Sequence, residues 1–106
     1  MNEYQQFASA KALAFIQMLE ELGKSNSDVL KILVAMRPNV EKIIQGKEQL
    51  PTRLLNGWSI YFSPEIYNGV YEKYPNIVNA EAELSWILSH PSMESYLESR
   101  RYLESL

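Results

Sequence analysis

The chain contains one histidine, His90, one aspartate, Asp28, and no cysteine. A Ser-His-Asp hydrolase would need those two single residues to meet, and no nucleophile-elbow sequence accompanies them. His90 precedes Pro91, the setting of a helix-end residue rather than of a catalytic base. Glu81 and Glu83 are two apart, so on a helix they diverge and do not pair for acid–base work. No glycine-rich phosphate loop and no histidine–glutamate metal spacing is present. The reading is therefore of a protein that is not an enzyme, with no catalytic residues, no cofactor and no metal.

Charge is the more informative chemistry. Residues 24–53 hold six bases (Lys24, Lys31, Arg37, Lys42, Lys47, Arg53) against three acids (Asp28, Glu41, Glu48), a net of +3. Residues 1–23 hold one base against three acids, a net of −2, and residues 54–106 three against seven, a net of −4. A basic middle in a chain of net charge −3 is the asymmetry expected when one face meets phosphates and the remainder does not.

The elements that would carry this charge read as helices, and no segment alternates as a strand. The fold class is all-α. With 106 residues, 46% hydrophobic and 22% charged, the chain suits one compact domain with a real core. A first helix is expected over about residues 4–22, where Ala8, Ala12, Phe15, Leu19 and Leu22 form an apolar stripe and Gly23 stops it. Ser25 or Ser27 caps a second, with Val29, Leu30, Ile32 and Leu33 inward. Arg37-Pro38 suits the first turn of a third, with Val40, Ile43 and Ile44 inward and Gly46 at its end. A fourth is expected from Pro51 and Thr52 to about Phe62, and a fifth over about residues 64–73 after the start signal Ser63-Pro64-Glu65. Asn76 or Asn79 caps a sixth through Leu88. Residues 92–105 form the last, with Met93, Tyr96, Leu97, Arg100 and Leu103 along one face and Arg100-Arg101 complementing its dipole.

Residues 25–47, SNSDVLKILVAMRPNVEKIIQGK, thus have the spacing of two short helices joined by a tight turn and closed by a Gly-Lys loop. Over about residues 11–66 the sequence resembles the lambda-repressor-like, or Cro-type, helix-turn-helix family. Ser25 to Gly46 spans the family's usual interval, and Val29, Leu33, Ala35, Val40 and Ile43 fall at its core places. The preceding IQMLEELGKS and the following LPTRLLNGWSIYFSPE are similar to its first and fourth helices. The resemblance implies a DNA-binding core over residues 1–63 and a helical extension over residues 64–106. It implies that Asn26 holds a phosphate at the start of the second helix. Arg37, Pro38 and Asn39 then occupy the base-reading turn, where arginine can pair with guanine and asparagine with adenine. Lys42, Gln45 and Lys47 hold the DNA backbone. The chain departs from the family at Val34, which replaces the turn glycine, so the turn has another geometry or the second helix is longer. Leu30 replaces a small alanine, Pro38 removes a donor, and Glu41 brings negative charge near the phosphates.

The acidic, aromatic-rich extension offers Ile77, Leu84, Trp86, Ile87, Leu88, Tyr96, Leu97, Tyr102 and Leu103 for packing on the core or on a second copy. The implied function is a sequence-specific transcriptional regulator, a repressor or antitoxin-like protein, acting on double-stranded DNA as a homodimer, with room for a protein partner on the extension. The alternative is a non-enzymatic protein-binding adaptor or inhibitor that keeps the fold without reading DNA. The absence of cysteine, of a secretory signal and of any apolar run near ~18 residues points to the cytoplasm and away from a membrane.

Overall fold

The computed structural model describes residues 1–55 and 70–106. Helix α1 (Glu3–Gly23) begins at a reciprocal cap: the Asn2 side chain accepts from the Gln5 amide at 2.7 Å, and the Gln5 side chain accepts from the Asn2 amide at 2.9 Å. Tyr4, Ala8, Ala12, Phe15, Ile16 and Leu19 are buried along its inner face. The chain turns through residues 24–26 and re-enters as α2 (Ser27–Ile44), capped by Asn26. The two helices form an antiparallel hairpin. Ser9 Oγ of α1 donates to the Ile44 carbonyl at one end, and Gly23 lies against the Leu30 backbone at the other. A Cβ on Gly23 would sit 3.5 Å from the Leu30 Cα, an ordinary van der Waals contact, so the helices approach there without requiring a glycine.

Residues 27–44 are one unbroken helix, which corrects the expectation of a second and a third helix joined by a tight turn. Pro38 lies inside α2 and does not start a helix. Two physical reasons combine. Val34 resists the left-handed backbone that the turn would need. The buried residues Val29, Leu33, Met36, Val40 and Ile43 recur at steps of four and three without a phase break. A proline in a helix interior costs about 3 kcal/mol, while each large side chain buried on the face contributes about 1.5–3 kcal/mol. Burial along the whole face outweighs the proline. Leu30 and Ala35, expected in the core, are consequently exposed, and Met36, which the two-helix register leaves unassigned, is fully buried.

After α2 the chain turns at Gly46, whose φ of 70° is the left-handed conformation a glycine adopts readily. Residues 51–55 are not helical, a second correction to the expected fourth helix; the rest of that helix, and residues 64–69 of the fifth, lie outside the described residues. The Thr52 amide donates instead to the Leu88 carbonyl at 2.9 Å, which draws this loop to the far end of the next long helix. That pairing satisfies one of the carbonyls a helix end leaves open.

A short helix α3 (Val70–Lys73) leads into α4 (Pro75–Leu88), which starts at Pro75 rather than after Asn76 or Asn79. Proline at the first position forfeits no helical bond. Helix α5 (Met93–Glu104) is capped by Ser92, which the expected helix over residues 92–105 counted as its first residue. Helix α4 packs on α1: the Tyr4 hydroxyl donates to the Ile87 carbonyl, and Lys11 pairs with Glu83 at 3.3 Å. Ile77, Leu84, Ile87, Leu88 and Tyr96 join the buried residues of α1 and α2 and Leu55 in one hydrophobic core. The described residues form an all-helical arrangement in which α1 lies between α2 and α4.

Candidate functional site

The continuity of α2 decides where the candidate DNA-contacting side chains point. Asn26 is the helix cap. Its Oδ1 accepts from the amides of Asp28 at 2.9 Å and Val29 at 3.1 Å, and its Nδ2 donates to the Tyr74 hydroxyl at 3.3 Å. Its amide therefore fastens the hairpin bend to the approach to α4. Arg37 pairs with Glu41 at 3.6 Å, one turn on, and with Glu20 of α1 at 4.0 Å. Asn39 is half-buried and its Nδ2 donates to the Leu54 carbonyl at 3.3 Å.

Arg37 and Asn39 are two residues apart, so within a helix they diverge by about 200°. One reaches toward α1 and the other toward the loop before residue 56. The amide groups that a free helix start would offer to phosphates are interior to α2 at this point. Pro38, Lys42 and Gln45 do share a stripe, together with Lys31, at steps of seven, four and three; all four are exposed. Lys31 lies 3.9 Å from Asp28, while among the described residues Lys42 and Lys47 make no ion pair. Lys42 occupies the last turn of α2, where positive charge complements the helix dipole. The structure thus brings Lys42 and Gln45 together with Pro38 on one exposed stripe and separates Arg37 from Asn39.

The same continuous helix exposes a surface that residue types alone do not reveal. Leu30, Val34, Arg37 and Glu41 recur at steps of four, three and four, the second stripe of α2, outside the buried one. Leu30 is 47% exposed and Val34 67%. Leu13 and Glu20, seven apart, share the neighbouring stripe of α1, and Leu13 is also exposed. The Arg37–Glu20 pair ties the two stripes into one face. The signal in the sequence was that Leu30 and Val34 fall out of phase with the run from Val29 to Ile43.

His90 and Asp28 do not meet. Asp28 sits beside Asn26, which bonds Tyr74 just before α4, whereas His90 follows the end of that fourteen-residue helix, about 21 Å away along its axis. His90 Nδ1 shares a hydrogen bond with Ser95 Oγ at 3.0 Å, and its ring lies between Trp86 and Tyr96. Glu81 is buried and accepts from Ser85 Oγ at 2.9 Å, while Glu83 faces Lys11, so the two carboxylates diverge. Burial pushes the Glu81 carboxyl up from its ordinary pKa, and the Ser85 hydrogen bond opposes part of that rise. Among the described residues no group of three histidine, cysteine or acidic side chains is placed to hold a metal ion. None of their helices is long and apolar enough to cross a membrane.

No family model matches this sequence, and neither a curated protein nor a solved structure matches it.

Proposed function

We propose that the protein is a non-catalytic helical module that binds another protein through the outer face of the α1–α2 hairpin. The observation that carries this reading is the exposure of Leu30, in the first turn of α2, and of Val34, one turn on, in an otherwise well-packed hairpin. On the side away from the bend they are bordered by the Glu20–Arg37–Glu41 charges, and exposed Leu13 lies beyond Glu20, about 10 Å further along α1. Exposed apolar side chains bordered by charged ones are a common make-up of a protein-recognition patch. The engagement of Arg37 and Asn39 within the fold supports this reading over base reading, and that of Asn26 over its holding a phosphate.

The test is site-specific photo-crosslinking in cells, with the crosslinker at Val34 and, as control, at Glu98 on α5. A discrete adduct at Val34 that disappears in the Leu30→Asp background supports a protein partner. Adducts identical at both positions would refute it.

A second reading, binding of double-stranded DNA through its backbone, is favoured by one observation: Lys42 and Lys47 are exposed and unpaired among the described residues of the basic segment. It predicts a DNA affinity that falls as a power of salt concentration, with a slope of about −0.9 per phosphate contacted. Lys42→Ala and Lys47→Ala would each lower that slope by about one. Absence of a DNA shift at low salt excludes it. The regulator reading depends on this result.

A further inference from the structure

Among the described residues, helix α5 is held to the protein along one side. Tyr96 is its single buried residue, set among the rings of Tyr4, Phe7 and His90 at centroid distances of 6.3, 5.6 and 6.2 Å. Arg100 stays on that side: its guanidinium donates to the Tyr96 hydroxyl at 3.1 Å and lies over the ring. The outer side carries Glu94, Leu97 and Arg101, which recur at steps of three and four and therefore share a stripe. Leu97 is 46% exposed at its centre. Among the described residues Glu94 and Arg101 make no ion pair.

This stripe is complementary to itself when reversed. We infer that α5 docks against α5 of a second copy of this chain, antiparallel, about a twofold axis at Leu97. Reversal sets Leu97 against the partner's Leu97. It also sets Glu94 opposite the partner's Arg101 on one side of the axis and Arg101 opposite the partner's Glu94 on the other. A parallel pairing would place acid on acid and base on base, so charge selects the orientation as well as the partner. Residue i meeting j while j meets i is the pattern a twofold interface requires. Glu98, four residues after Glu94 and three before Arg101, borders the stripe on the side opposite Leu97.

The contact is small. A helix of twelve residues is about 18 Å long, and two such helices bury less than the ~1,200–2,000 Å² of a stable complex. The dimer is accordingly weak and depends on concentration. It uses neither Leu30 nor Val34, so it stands or falls separately from the proposed function.

The absence of cysteine makes a direct test clean. Single-cysteine variants of the full chain are oxidised mildly at high protein concentration and read on a non-reducing gel. Leu97→Cys should form a disulfide-linked dimer. Glu94→Cys and Arg101→Cys should each stay monomeric alone and cross-link when mixed. Sedimentation of the unmodified chain should show mass rising with concentration, with Arg101→Glu weakening association about tenfold and Glu94→Arg combined with Arg101→Glu restoring it. Self-cross-linking at position 94 or 101, or failure to cross-link at position 97, would overturn the antiparallel arrangement. A strictly monomeric chain at all concentrations would overturn the dimer itself.

Discussion

Arg37 and Asn39 lie on nearly opposite sides of one helix, Arg37 joined to Glu20 of α1 and Asn39 to the Leu54 carbonyl. At the free start of a recognition helix the two side chains could reach neighbouring base edges together. In the interior of α2 they brace the hairpin against different neighbours. The residue types are those of a DNA reader, and their placement is that of structural contacts.

Replacement of Pro38 by alanine tests the continuity of α2. Within a helix interior it restores the amide that can donate to the Val34 carbonyl and removes the ring clash, so stability should rise by about 1–3 kcal/mol. Urea unfolding should show a higher midpoint with unchanged slope. Were Pro38 the first residue of a separate helix, its fixed φ would already suit that position and alanine would bring no gain. A neutral or destabilising result therefore contradicts the unbroken helix.

Leu30 and Leu33 provide a second check, on the register of that helix. Leu33 is buried in the core and Leu30 is not. Leu33→Ala should cost about 2–5 kcal/mol, whereas Leu30→Ser should change stability by no more than about 0.5 kcal/mol. Thermal or urea denaturation separates the two. Equal losses would mean that Leu30 faces inward, as the two-helix register had it.

Local signals were sufficient where the answer was local. Gly23 at the end of α1, Ser92 before α5 and the stop at His90-Pro91 all coincide with observed boundaries, because caps and breakers act within a turn of the chain. Pro38 was ambiguous, since proline suits both a helix start and, at a cost, an exposed position inside a helix. The burial of Met36 in phase with Val29 and Ile43 resolved it, and that depends on α1 lying opposite. Pro51 and Thr52 read as a helix start, yet the Thr52 amide is taken by Leu88, thirty-six residues on. The candidate site suffered in the same way. Residue types marked Asn26, Arg37 and Asn39, but Tyr74, Glu20 and Leu54, which engage them, are partners that only the fold brings near.

Asn26 can be assigned by separating its structural loss from any effect on binding. Asn26→Ala removes the cap of α2 and the link to Tyr74, so stability should fall by about 1 kcal/mol, while Asn26→Asp, which keeps the capping oxygen, should lose less. If DNA binds at all, the salt slope of Asn26→Ala should match that of the unmodified chain. A slope reduced by about one would return Asn26 to the role of a phosphate contact.

Glu81 gives the fold a pH dependence with a definite sign. Its residue is only 8% exposed, and burial raises the carboxyl pKa above the unfolded value, against the opposing hydrogen bond from Ser85. Between those two values the folded state binds more protons than the unfolded state, so stability falls as pH rises. Below the unfolded value both states hold the proton and the contribution is fully present; above the folded value it is lost. Glu81→Gln retains the size and a polar partner for Ser85 but cannot ionise. Subtracting its pH–stability profile from that of the unmodified chain should leave a decline that begins near the ordinary glutamate pKa of about 4.3 and levels off above the raised one. Ser85→Ala should move the end of the decline to higher pH, because it removes the bond that favours the charged form. A difference profile that rises with pH would show that Glu81 is stabilised as the carboxylate, contrary to its burial.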